Sequence, residues 1–160
     1  MALLHVMAAV ARDRGVVLQA VTVDHGLRAE AAAEAAVVAQ VCTGLGVAHQ
    51  VLRWNHGAVA GNLMDAARRA RYGLMADWAA TQDISHIFLG HTADDQAETV
   101  LMNLCRGSAG PMGMAAETCL KVPGFRTPLQ LLRPLLAHSK SELAAAAGSH
   151  GWNFREDASN

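Results

Sequence analysis

The sequence predicts an α/β fold, a doubly wound, Rossmann-like parallel sheet covered by helices on both faces. Three observations carry this. Helical and strand patterns alternate along the 160 residues. The connections between them are short, which suits parallel strands joined by crossover helices. No repeat, low-complexity tract or linker interrupts the series, so one domain is expected over 1–160.

The elements follow in order. Residues 2–14 read as a helix ending at Gly15, a C-cap residue. Residues 16–26 are rich in β-branched side chains and end in a polar turn, so they read as a strand. The alanine-rich 29–46 is a helix stopped by glycine, 47–54 a strand, 55–62 a loop and 63–82 a long helix. A strand over 84–90 leads into a helix over 93–106. Residues 107–124 contain Gly and Pro and read as irregular, with a last strand at 129–132. A helix over 139–148 has Ser139 and Glu142 at capping-box spacing. A doubly wound domain normally opens with a strand. This chain opens in a helix and closes on a turn-like tail, so the first strand is expected to be missing.

Composition narrows the function. The 52% apolar content argues for a folded globule, and a net charge of −1 gives no global field for nucleic acid. Three cysteines without CxxC spacing suit reduced thiols in a cytoplasmic protein. No apolar run approaches the ~20 residues of a membrane span. The eight histidines show no zinc spacing.

Two polar turns follow strands, where ligands of open α/β sheets bind: VDHGLR (23–28) and GHTADDQAE (90–98). Acids at a helix start cap free amides and suit the dipole, which accounts for one of Asp94 and Asp95. Glu98 is less easily explained. It lies i+4 from Asp94 and i+3 from Asp95, where like charges repel unless a cation intervenes. That cation is either Mg²⁺, held by one or two carboxylates plus phosphates, or the ammonium of an amine substrate. Asp24 and His25 fit a simple turn around Gly26 as well as a site. Arg68 and Arg71 share a helix face and fit a solvated surface equally well.

In this order and spacing, VDHGLR, AARRARY (66–72), LGHTADDQAETVLMNLCRGS (89–108), LLRPLL (131–136) and REDASN (155–160) closely resemble tRNA(Ile)-lysidine synthetase. That family belongs to the N-type ATP pyrophosphatases, the PP-loop group, with an adenine nucleotide alpha hydrolase-like sheet. The resemblance implies the N-terminal catalytic domain of a ligase. With ATP and Mg²⁺ it adenylates the C2 carbonyl oxygen of the wobble cytidine of tRNA(Ile) with a CAU anticodon. Free L-lysine then displaces AMP to give lysidine. Asp95 and Glu98 match the acidic pair that handles lysine and Mg²⁺, with Asp95 as metal ligand and His91 and Asp94 as motif neighbours. Arg68 or Arg71 matches an arginine near ATP. Val23, Asp24 and His25 match the strand end lining the adenine side. One departure is large: the SGGxDS pyrophosphate loop of the family is absent, and the sequence begins where its following helix would start. ATP binding by this chain is therefore expected to be weak or absent. Asp65 replaces an expected glutamate or small residue. The rival expectations are a folded module that self-associates, for instance as a homodimer, or binds RNA weakly, and another PP-loop tRNA-modifying enzyme.

Overall fold

The computed structural model describes residues 1–27, 31–57, 61–107, 112–121 and 128–152. Arg28, residues 108–111 of the glycine-rich stretch and the REDASN tail lie outside them. The chain forms two compact units, Leu4–Ile84 and Met1–Leu3 with the chain from Ser85 onward.

The first unit is built from α1 (Ala2–Arg14), β1 (Gln19–Asp24), α2 (Ala31–Leu45), β2 (Ala48–Arg53) and α3 (Leu63–Thr81). β1 and β2 pair in parallel from Gln19↔Ala48 to Asp24↔Arg53. Their core is Ala8, Cys42 and Val47, packed against Leu4, Leu18, Ala20, Val38 and Leu45. Gly46 at φ +69 ends α2 and lets the Val47 amide return to the Cys42 carbonyl at 2.9 Å, a Schellman-type stop that launches β2. The strand expected over 16–26 is shorter. Val16 and Val17 are 59% and 90% exposed, because β2 begins only at Ala48 and offers them no partner. Asn62 caps α3, its Oδ1 accepting from the Met64 and Asp65 amides. α3 buries Met75, Ala76, Trp78 and Ala79, and the Trp78 indole N–H donates to Gln50 Oε1 at 3.0 Å.

The second unit holds β3 (His86–Phe88), α4 (Ala93–Cys105), β4 (Glu117–Leu120), β5 (Leu129–Leu132) and α5 (Lys140–Ser149). The strand order is β3-β5-β4. β3 and β5 are parallel, whereas β4 and β5 are antiparallel. Leu129 and Leu131 are each 1% exposed, and burying each stabilises the unit by about 1.5–3 kcal/mol.

One expectation needs correction. Residues 107–124 are not wholly irregular, since Glu117–Leu120 is a strand. The expected α/β fold with parallel strand pairing holds in β1–β2 and β3–β5, and among the described residues β4 adds an antiparallel edge to β5. Arg133 explains part of this addition. It is buried, and its guanidinium donates to the Ala115 carbonyl and Thr118 Oγ1, tying the end of β5 to the approach of β4. No helix of the described residues is long and apolar enough to cross a membrane.

Candidate functional site

The acidic cluster forms where β3 gives way to α4. Thr92 is the N-cap of α4, with Asp95 as the reciprocal partner of a capping box. Asp95 Oδ2 accepts from the Thr92 amide at 2.7 Å and the Thr92 hydroxyl at 2.8 Å. The capping acid is therefore Asp95, the same residue the family resemblance assigns to metal. Its two oxygens divide the work: Oδ2 serves the cap, and Oδ1 lies 3.8 Å from the Lys140 ammonium. Glu98 Oε1 lies 3.9 Å from the same ammonium. Asp94 turns elsewhere, its Oδ2 accepting the Lys140 amide at 2.7 Å, the first N–H of α5. There it sits at a helix N-terminus, which favours an anion.

A cation thus does relieve the repulsion between these acids, and it comes from the chain itself. Exposed pairs of this kind contribute only about 0–1 kcal/mol, so an arriving cation can displace Lys140. Burial alone would push the Asp95 carboxyl up. The Thr92 hydrogen bonds, Lys140 and the nearby His91 outweigh that and hold it below the ordinary carboxylate range. Among the described residues no group of three or more metal-type side chains converges. A Mg²⁺ ion fits here only with Asp95 Oδ1, Glu98 and further oxygens from a bound phosphate, a coordination this ion commonly takes.

Gln96 and Gly113 were not among the residues singled out in the sequence. The Gln96 amide donates to the Met114 carbonyl and accepts from the Met114 amide, holding the segment before β4 against α4. A Cβ on Gly113 would stand 2.6 Å from Gln96 Oε1, so only glycine leaves that clamp undisturbed. Asn103 adds a hydrogen bond to the Met112 carbonyl. The sequence signal was available in the glutamine after DD and the glycine inside PMGM, but their meeting is tertiary.

The second cluster lies at the carboxyl ends of β1 and β2. Val23, Asp24 and His25 are half-buried. Asp24 Oδ1 accepts the Gly26 amide at 2.9 Å, the turn expected around Gly26. Its Oδ2 lies 4.0 Å from Arg53 Nε. The two candidate arginines separate here. Arg71 meets His25, with Nε and Nη2 each 3.2 Å from His25 Nε2. Arg68 instead lies over the Tyr72 ring, 5.7 Å from its centroid. Trp54 packs on His56 at 4.1 Å between ring centroids and stands edge-on to His25 at 6.1 Å. Burial first, then Arg71 and His56, push the His25 pKa below its ordinary value, against a smaller opposing pull from Asp24.

A tRNA(Ile)-lysidine synthase of Ruegeria pomeroyi is 45% identical over 159 residues, covering 99% of this chain and 37% of that protein. That of Zymomonas mobilis is 45% identical over 146 residues, 89% of this chain and 44% of the relative. The chain thus spans about two fifths of the length of these relatives. Among solved structures, the U34-tRNA thiolase NcsA of Methanococcus maripaludis matches with a TM-score of 0.69 at 17% identity, over 88% of this chain and 49% of that one, a likeness of fold. The family model described as PP-loop domain matches residues 1–160, and the chain belongs to that family.

Proposed function

We propose that this chain is the catalytic domain, or the greater part of it, of a tRNA(Ile)-lysidine synthase: an ATP-dependent ligase joining free L-lysine to the wobble cytidine of tRNA(Ile) with a CAU anticodon. The observation that carries this reading is the Lys140 ammonium on Asp95 and Glu98. The pair is built to take a primary ammonium, the group by which free lysine would be recognised. ATP would supply the adenylate that makes the cytidine C2 oxygen a leaving group. Asp95 Oδ1 and Glu98 would hold Mg²⁺ or the lysine ammonium, and His91 stands beside them. Asp94 would set the spacing of α4 and α5. Val23, Asp24 and His25 would line the adenine side, with Arg71 rather than Arg68 as the arginine that acts there.

The test is lysine incorporation into tRNA(Ile) by the protein carrying Glu98→Gln. Glu98 has no part in the cap, so the variant keeps its fold. The expected loss is about 100-fold, the scale of a misplaced reactant. Turnover like that of the unaltered protein would remove the pair from the mechanism. Self-association is a second reading, supported by Leu101, Met102 and Leu104, which are 52–61% exposed on α4. Light scattering decides it, and a strictly monomeric chain counts against it.

A further inference from the structure

The contact between Arg71 and His25 has a chemical consequence. A guanidinium carries only donors. Both Arg71 groups aim at one atom, His25 Nε2. That nitrogen must supply the lone pair, so the ring proton resides on Nδ1. Nδ1 is covered and has no hydrogen-bond partner among the described residues. The ring is also restrained on its other sides. Trp54 meets it edge-on, Asp24 precedes it, and His56 Nε2 lies 3.2 Å from the His25 carbonyl. Trp54 and His56 add a half-exposed aromatic step of the kind on which bases stack.

We infer that Arg71 is a positioning residue: it fixes His25 as the neutral Nδ1–H tautomer, so that the end of β1 holds an uncharged imidazole in one orientation beside the Trp54–His56 step. Arg71 acts through His25 and need not touch the nucleotide. A protonated His25 could not accept from the guanidinium and would face it as a like charge. What the positioned ring does for a nucleotide rests on the adenine reading proposed above; the tautomer does not.

Long-range ¹H–¹⁵N correlation spectra of the histidine-labelled chain test it, recorded above pH 7 without ligand. The expected spectrum shows His25 with a protonated Nδ1 and a bare Nε2. Arg71→Met should give the tautomer mixture of a free imidazole, and Arg71→Lys, which still donates to Nε2, should restore the single form. Arg71 is exposed, so these variants keep their fold, which circular dichroism verifies. An Nε2–H tautomer in the unaltered chain, or no change in Arg71→Met, overturns the inference.

Discussion

The two clusters occupy equivalent places, each just past the carboxyl end of a parallel strand, yet they treat charge in opposite ways. Past β3, three carboxylates each meet a donor or a cation. Asp95 is held by Thr92, Asp94 by the first amide of α5, and an ammonium sits between Asp95 and Glu98. Past β1, a histidine is kept neutral by burial and by a guanidinium that needs its lone pair. A strand end in this fold thus takes its chemistry from the helices packed around it. α4 brings acids in its own first turn, whereas His25 is governed by an arginine 46 residues away on α3.

That contrast can be broken from either side. The largest effect expected on the acid side is from Gly113→Ala. The added Cβ displaces the Gln96 amide from Met114, and denaturant unfolding should show a loss of about 1–2 kcal/mol, the net worth of the two hydrogen bonds. The His25 resonances should stay put. Next comes Thr92→Ala, which removes the cap. It should cost about 1 kcal/mol and raise the Asp95 pKa toward its ordinary value of 3.8, measurable by NMR titration of the carboxyl.

Stability against pH separates the clusters without any mutation. Both groups have depressed folded-state pKa values, so each contributes stability above its unfolded value and loses it as pH falls. For His25 that loss starts below the ordinary 6.5, and for Asp95 only below 3.8. Thermal melts between pH 7 and pH 3 should therefore fall in two stages; His5 and His49, also depressed by burial, share the upper one with His25, and Arg71→Met should lessen that stage while leaving the lower one in place. The smallest stability effect is expected from Lys140→Met, within about 0–1 kcal/mol. The same variant should bind Mg²⁺ more tightly by calorimetry, because a competing cation has gone. Weaker binding would make Lys140 a ligand-side partner instead of a placeholder.

Much of the fold was legible because local patterns and tertiary structure agree. The helices over 2–14 and 63–82 and the Ser139–Glu142 capping box were readable from spacing alone. β4 was not, because ETCL has no strand signal of its own and is a strand only by pairing with β5. The boundaries of β1 failed for a related reason: Val16 and Val17 look like strand but have no neighbour. In the candidate site, the gathering of acids was plain in HTADDQAE. The cation between them was not, since Lys140 is 45 residues from Asp95. Nor could the sequence choose between Arg68 and Arg71, which share a face until His25 distinguishes them.

The divided carboxylate of Asp95 has one more effect, on conformational freedom. With Oδ2 held by two groups of Thr92, the side chain has already surrendered its rotamers during folding. A cation arriving at Oδ1 meets a ligand that need not be ordered again, where a free side chain would give up roughly 0.5–1.5 kcal/mol on being immobilised. Glu98, exposed and held by a weak ion pair, gives up that entropy when a cation binds. The helix cap is thereby also a preorganising device: the acid that completes the capping box of α4 is the one whose outward oxygen is in place before any ligand comes.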